Sequence, residues 1–92
     1  MEKHIEVSIL WQIYGKLLTD KQYNVLNDYY NKDLSLSEIA EINKISRQGV
    51  RDIIMKGEAK LFDYEKKLKI MEKTQQIEKI LNEVQKEVSF IA

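Results

Sequence analysis

The chain is 92 residues long and carries 15 acidic and 15 basic side chains, so its formal net charge is zero. It has no cysteine, one histidine near its start and no glycine-rich phosphate loop, so we expect no enzyme activity, no metal site and no cofactor. The lack of a long apolar run and of a signal peptide predicts a soluble, cytoplasmic protein that does not insert into a membrane.

Composition and periodicity favour an all-α fold. Proline is absent, while lysine, glutamate, leucine and isoleucine are abundant, and these residues favour helices over strands. Residues 4–18 carry apolar side chains at mostly helical spacing and predict a first helix. Its apolar face, which includes Trp11, is wide, so we expect it to pack on the rest of the chain or on a second subunit.

A second helix is predicted over residues 20–31. Thr19 and Gln22 have the spacing of a capping box, in which each side chain accepts a hydrogen bond from a backbone N–H at the helix start. Tyr29 and Tyr30 lie on this helix and could stack on nucleic-acid bases. At this spacing, however, tyrosines are more often core residues with the hydroxyl at the surface, and we interpret them so.

Two short helices separated by a polar turn follow. Ser35 and Glu38 form a second predicted capping box, which starts a helix over residues 36–43. Ser46 is placed to cap the next helix, over residues 46–56, whose buried face is predicted from three- and four-residue steps: Val50, Ile53 and Ile54. Two short helices joined in this way are typical of a helix-turn-helix motif.

The exposed face of the second of these helices indicates DNA binding. Arg47, Gln48 and Arg51 point away from the apolar face near the helix start. Arginine pairs with guanine and glutamine with adenine through two hydrogen bonds each, and the first turns of this helix reach base edges in helix-turn-helix proteins. Candidate phosphate contacts surround them: Lys44, Ser46, Lys56 and Lys60. The alternative is that these side chains form only a solvated helix face.

Charge is unevenly distributed along the chain. Residues 43–60 hold five basic and two acidic side chains, so this segment is positive and the remainder is negative. Non-specific affinity for nucleic acid comes mainly from neutralising phosphates. A local basic patch in a neutral protein therefore predicts weak or dimer-dependent binding to double-stranded DNA.

The C-terminal part of the chain predicts a long amphipathic helix, which divides the protein into a helix-turn-helix domain (1–60) and a C-terminal helix (61–92). Apolar residues recur every seven residues along it, at Ile70, Ile77, Val84 and Ile91. Other apolar residues widen or extend this stripe: Leu61, Tyr64, Leu68, Met71, Ile80, Leu81 and Val88. Such a stripe needs a partner surface, in the same subunit or in a second one.

Two interruptions are predicted in this region. Gly57 is expected to form a bend between the motif and the long helix. The polar residues 74–76 interrupt the stripe, which favours two shorter packing segments over one continuous coiled coil. We expect a homodimer, with these residues in dimer contacts or in packing: Trp11, Leu68, Ile70, Ile77, Leu81, Val84 and Val88.

Four stretches of the sequence resemble a known family: LLTDKQ (17–22), LSLSEIAE (34–41), ISRQGV (45–50) and EKKL (65–68). They resemble the YlxM family of small bacterial helix-turn-helix proteins, which is itself similar to region four of sigma factors. The resemblance implies a DNA-binding regulator linked by genetic neighbourhood to the signal recognition particle pathway. The other sigma regions are missing, so it does not imply a sigma factor. Asn43 and Lys44 replace the glycine-containing turn expected in this motif.

The sequence is compatible with two functions. In the first, the protein is a DNA-binding regulator in which the helix starting near Ser46 reads bases. In the second, it is an interaction module that docks on a protein or RNA component of the signal recognition particle pathway. The clustered arginines favour the first function, and the zero net charge favours the second.

Overall fold

The computed structural model of the protein describes residues 2–91, with side chains described for residues 2–88. The described chain is helical and contains no strand, which confirms the all-α prediction. Its five α-helices are α1 (Lys3–Tyr14), α2 (Asp20–Leu26), α3 (Leu36–Asn43), α4 (Arg47–Leu68) and α5 (Ile70–Ile91). A 3-10 turn (Gly15–Leu17) continues α1, and a π-helical turn (Asn27–Asn31) continues α2.

Both predicted capping boxes are present. At the start of α2, the Gln22 backbone N–H donates to Thr19 Oγ1, and the Thr19 backbone N–H donates to Gln22 Oε1, each over 3.2 Å. At the start of α3, Ser35 and Glu38 make the same reciprocal pair over 3.1 and 3.2 Å. These bonds satisfy backbone donors that have no partner within the helix, which fixes where α2 and α3 begin.

The turn between α3 and α4 has the backbone geometry of a glycine turn without a glycine. Lys44 ends α3 with φ 54° and ψ 44°, in the left-handed region that favours glycine. The Ile45 backbone N–H then donates to the Ala40 carbonyl over 3.1 Å and closes the turn. The replacement of glycine by lysine therefore leaves the expected shape of the motif unchanged, and it adds a positive charge at the turn.

Helix α4 lies at the centre of the core and packs against α1, α2 and α3. Its buried residues face apolar residues from all three of those helices. The largest fully buried side chains of this core are Tyr14, Leu10, Leu26, Ile39, Leu61, Val7, Val25 and Val50. This packing supports α4 from behind, so the face carrying Arg47 and Arg51 is left exposed.

The predicted bend at Gly57 is wrong. Helix α4 continues through this position for eleven more residues, to Leu68. Gly57 is buried, and a Cβ atom built there would lie 2.7 Å from Leu26 Cδ1 of α2. The glycine therefore allows α4 to approach α2 closely, and it does so within a regular helix.

The break in the long helix occurs at Lys69, and residues 74–76 do not interrupt it. Lys69 has φ 55° and ψ 33°, the left-handed conformation that ends a helix, and α5 then runs through residues 74–76 without a break. The break divides the predicted stripe. Leu61 and Met71 are buried in the body of the protein, whereas the apolar side chains from Ile77 to Val88 are exposed. The side chain of Ile91 lies outside the described residues.

A group of hydrogen bonds around Glu65 fixes the break. Glu65 Oε1 accepts from the Tyr14 hydroxyl over 2.8 Å and from the Met71 backbone N–H over 3.0 Å, while Glu65 Oε2 accepts from the Glu72 backbone N–H over 3.1 Å. The Ile70 backbone N–H donates to the Tyr14 hydroxyl over 3.1 Å. Burial raises the pKa of the Tyr14 hydroxyl above 10.0, and the hydrogen bond to Glu65 acts in the same direction. Glu65 thus caps α5 and ties it to α1 and α4.

We expect Glu65→Ala to lower the free energy of unfolding by about 1–2 kcal/mol, because the first N–H groups of α5 and the buried Tyr14 hydroxyl lose their acceptor. Asp63→Ala is the matched control, since Asp63 is exposed on the same helix and pairs only with Lys67, four residues on. That control should change stability by no more than about 0.5 kcal/mol. Urea unfolding followed by circular dichroism measures both, and equal effects would contradict the role given to Glu65.

Beyond its first turn, α5 extends away from the rest of the protein. The helix is about 33 Å long at 1.5 Å per residue, and the protein measures 60 × 26 × 19 Å along its principal axes. Among the described side chains of α5, Met71 is the buried one, and α5 contacts α1 near its start, where the Ile70 backbone N–H donates to the Tyr14 hydroxyl. No described helix is both long and apolar enough to cross a membrane.

Candidate nucleic-acid interface

The first two turns of α4 carry an exposed polar face. Ser46 Oγ accepts from the Gly49 backbone N–H over 2.9 Å, so Ser46 caps α4 as predicted. Arg47, Gln48 and Arg51 follow directly, and all three are exposed. The Ser46 hydroxyl accepts through its oxygen and still has its own O–H to donate, so the cap remains able to contact an acceptor such as a phosphate oxygen.

A shallow groove of about 670 Å³ lies where the starts of α3 and α4 meet. Its walls come from both helices: Ser35, Leu36, Ser37, Ser46, Arg47, Gln48 and Arg51. The N-terminus of a helix carries partial positive charge, and Arg47 and Arg51 add two full positive charges to the lining, so this groove suits an anionic ligand. The sequence predicted both caps, but only the fold brings them to one groove.

Arg51 lies between this groove and a second one of about 570 Å³. The second groove runs between the start of α1, the π-helical turn and α4, and its lining includes Lys3, Leu36 and Met55. Met55 lies one turn after Arg51 and is 61% exposed. An exposed methionine beside an arginine can make apolar contact with a base, such as the methyl group of thymine. Met55 was not among the residues predicted for the site, although its spacing of four residues from Arg51 is visible in the sequence.

Gln48 is held by a neighbour on the same helix. Its Nε2 donates to Asp52 Oδ1 over 3.0 Å, across one turn of α4. One N–H and the carbonyl oxygen of the Gln48 amide remain available, which are the groups needed for a paired contact with adenine. Asp52 adds a negative charge to the middle of the exposed face, and this opposes binding to phosphates.

The candidate phosphate contacts lie on different sides of the motif. Lys56 and Lys60 are exposed on α4, but Lys60 follows Arg51 by nine residues, about two and a half turns, so it projects from the opposite flank. Lys60 Nζ also lies 3.2 Å from Gln22 Oε1 of the α2 cap. Lys44 is exposed in the turn before α4. The basic side chains therefore border the exposed face of α4 on both flanks and at its start.

The residues predicted for dimer contacts or packing fall into two groups. Trp11 is half-buried within its own chain, where its indole N–H donates to the Tyr23 carbonyl over 3.0 Å and its ring stacks on Tyr23 at 4.7 Å. The others are exposed on the end of α4 or on α5: Leu68, Ile70, Ile77, Leu81, Val84 and Val88. The apolar surface left without cover in the described chain thus lies mainly on α5.

Comparison with known proteins identifies the family. A sequence model of UPF0122, described as "Putative helix-turn-helix protein, YlxM / p13 like", matches residues 1–91. The UPF0122 protein of Clostridium perfringens strain SM101 is 47% identical over 89 residues, which is 97% of this chain and 80% of that protein.

Two further relatives agree with this match. The UPF0122 protein of Clostridium kluyveri strain NBRC 12016 is 56% identical over 78 residues, which is 85% of this chain and 70% of that protein. The relative from Fusobacterium nucleatum is 44% identical over 81 residues, 88% of this chain and 79% of that protein. The resemblance to the YlxM family is thereby confirmed, and the chain belongs to the UPF0122 family of YlxM / p13-like helix-turn-helix proteins.

Proposed function

We propose that the protein is a DNA-binding regulator that inserts the start of α4 into the major groove of double-stranded DNA. The observation that carries this proposal is the exposure of Arg47, Gln48 and Arg51 on the first two turns of a helix supported from behind by the core. A helix of this kind fits the major groove, and side chains in its first turns reach base edges. Met55 extends the same face by one turn.

The surrounding basic groups are suited to the DNA backbone. A helix in the major groove is bordered by two phosphate strands, and α4 carries lysines on the flank opposite Arg51, at Lys56 and Lys60. Lys44 and the capping residue Ser46 lie at the start of the helix, where backbone N–H groups also favour an anion. In this arrangement the arginines and Gln48 select the sequence, and the lysines set the position of the protein on the duplex.

A salt series tests the proposal. A duplex selected from a random-sequence library by the wild-type protein should bind more tightly than a scrambled duplex of the same composition, and both affinities should fall as salt rises. Lys60→Ala should weaken binding to both duplexes alike and reduce the salt slope by about one, because one phosphate contact is lost. Lys79→Ala is the matched control, since Lys79 is exposed on α5 and should change neither quantity.

The same salt series can contradict DNA binding by α4. A wild-type protein that binds neither duplex at low salt has a solvated face, or a surface for another ligand, at the start of α4. If Lys60→Ala and Lys79→Ala reduce binding equally, Lys60 makes no specific contact with a phosphate of the duplex. Fluorescence anisotropy with labelled duplexes measures each of these affinities.

We propose a homodimer as the DNA-binding form and the cytoplasm as its location. The zero net charge of the chain predicts modest affinity for one copy, and two copies double the number of base and phosphate contacts. The exposed apolar residues of α5 need a second surface, which a second copy can supply. A cysteine-free chain that acts on DNA suits the reducing cytoplasm.

A second candidate function is an interaction module that docks on a protein or RNA component of the signal recognition particle pathway. The exposed apolar face of α5 favours it, because such a face is typical of helices that bind a protein partner. Sequencing the nucleic acid captured with the protein from cells distinguishes the two functions. Recovery of one DNA sequence motif supports the regulator, and enrichment of the RNA or proteins of that particle supports the module.

A further inference from the structure

The apolar stripe of α5 points away from the body of its own chain. Six of its side chains are between 43% and 59% exposed: Ile70, Ile77, Ile80, Leu81, Val84 and Val88. Met71, which does pack on the body, follows Ile70 by one residue and therefore lies about 100° further around the helix. The body thus meets α5 only in its first turn, at one edge of the stripe, and the stripe from Ile77 to Val88 stays exposed. Nothing in the described chain covers the stripe.

The spacing of the stripe is that of a coiled-coil seam. The seam contains Ile77, Leu81, Val84 and Val88, which follow one another at steps of four, three and four residues, and Ile80 lies beside it. Continuing these steps towards the start of α5 places Thr74 and Ile70 on the same seam. The polar residues 74–76 therefore contribute one threonine to the seam and two glutamines to the solvated side of a continuous helix.

The residues beside the seam are Lys73, Ile80 and Glu87 on one flank and Met71, Glu78 and Gln85 on the other. In a parallel pair, opposite flanks meet, so Lys73 faces Glu78 of the second copy and Ile80 faces the polar Gln85. In an antiparallel pair, like flanks meet. Lys73 then faces Glu87 of the second copy, and Ile80 faces Ile80.

The parallel and antiparallel pairs differ in the apolar surface that they bury. Both of them form two ion pairs, but only the antiparallel pair brings the two copies of Ile80 together, and it also places Thr74 against Val84 rather than against a second threonine. Ile80 is 58% exposed, and its contact with the second Ile80 would remove apolar surface from water. The antiparallel pair also brings Glu78 near its own copy, but an exposed pair of charges interacts weakly in water.

We propose that α5 pairs with α5 of a second copy in antiparallel orientation, with the two-fold axis beside Ile80. The seam of this pair contains Ile77 against Leu81, Val84 against Thr74 and Val88 against Ile70. The partner is thus a second copy of this chain, recognised by self-complementary apolar and charged residues. This arrangement rests on the proposed homodimer, and it specifies the dimer surface and the orientation of the subunits.

Cross-linking through single cysteines tests the orientation, because the natural chain has no cysteine. Ile80→Cys should form a disulfide-linked dimer under mild oxidation, since the two sulfurs lie beside the axis. Val88→Cys should not link to itself, because its two copies lie about 27 Å apart along the pair, eighteen residues at about 1.5 Å each. A mixture of Ile70→Cys and Val88→Cys chains should link to each other. If Val88→Cys links to itself and Ile80→Cys does not, the pair is parallel and the proposal is overturned.

The mass of the wild-type protein in light scattering tests the pairing itself. A dimer mass is expected, and replacing Ile77 and Val84 together by aspartate should raise the dimer dissociation constant on the order of 100-fold or more, because charges would enter the seam. The control replaces Gln75 and Asn82 together by aspartate, on the far side of α5, and should remain a dimer. Circular dichroism should show that both variants stay helical.

A charge exchange gives an independent measurement on folded variants. Lys73→Glu should weaken the dimer a few-fold, and adding Glu87→Lys should restore it, whereas adding Glu78→Lys should not. If Glu78→Lys restores the dimer of Lys73→Glu and Glu87→Lys does not, the pair is parallel. A wild-type monomer at high micromolar concentration that still binds duplex overturns the pairing and leaves the proposed DNA binding in place. A cross-linked dimer that binds no duplex supports the pairing and overturns the proposed DNA binding. The two proposals can therefore fail separately.

Discussion

Arg51→Ala is expected to weaken binding to the selected duplex by about 5- to 150-fold, corresponding to about 1–3 kcal/mol, and to relax the base preference at one position. Arg51 lies between the two grooves beside the start of α4 and makes no hydrogen bond or ion pair with another described residue. Its guanidinium is therefore free to pair with a base. The stability of the fold should change by no more than about 0.5 kcal/mol, since an exposed side chain is removed.

The matched control for this prediction is Arg51→Lys. Lysine keeps the charge but lacks the planar pair of donors that matches the edge of guanine. We therefore expect Arg51→Lys to lose most of the preference for the selected duplex while its salt slope stays near the wild-type value. If Arg51→Ala instead weakens the selected and scrambled duplexes equally, in the manner expected of Lys60→Ala, then Arg51 contacts phosphate and the base-reading role falls to Arg47 and Gln48.

The close approach of α4 to α2 at Gly57 is expected to be important for stability. Gly57→Leu is expected to lower the free energy of unfolding by about 3 kcal/mol, because a buried side chain would be inserted into a packed core. A Cβ atom at position 57 would already lie 2.7 Å from Leu26 Cδ1, and Leu26 is fully buried and has little room to move. To make space, α4 would have to move away from α2, and this would also shift the helix that carries Arg51.

Ala59→Leu is the control, since Ala59 is exposed on the same helix and two residues away. We expect it to change stability by no more than about 0.5 kcal/mol. Urea unfolding of the two variants beside the wild type gives the comparison. A glycine at a solvent-exposed bend would give a different result, because larger residues there improve helix propensity by about 1 kcal/mol. An unchanged or increased stability of Gly57→Leu would therefore contradict the close contact between α2 and α4.

The sequence alone predicted the features that depend on nearby residues. Thr19 with Gln22 and Ser35 with Glu38 cap helices through side chains three residues apart, so their spacing is visible in the sequence and their bonds form as predicted. The exposure of Arg47, Gln48 and Arg51 followed from helical periodicity and the apolar residues between them. The same motifs carried the resemblance to the YlxM family, which the comparison confirmed.

The candidate site was only partly predictable, because it combines residues of one helix with contacts between helices. The residues on α4 were found from their spacing, but the groove they share with Leu36 depends on the angle between α3 and α4. The contact of Lys60 with Gln22 likewise joins residues far apart in sequence. Periodicity gives the side of a helix on which a residue lies, and it does not give the neighbour that this side meets.

Tertiary structure decided the features that depend on distant residues. The sequence predicted a bend at Gly57, and only its contact with Leu26 shows that it is a site of close packing within a continuous helix. The break at Lys69 is fixed by Glu65 and Tyr14, which are 51 positions apart. The sequence by itself thus determined the helical class, the capped starts of α2, α3 and α4, and the family. The tertiary structure decided where the long helix breaks and which part of its apolar stripe stays exposed, because both depend on which helix faces meet.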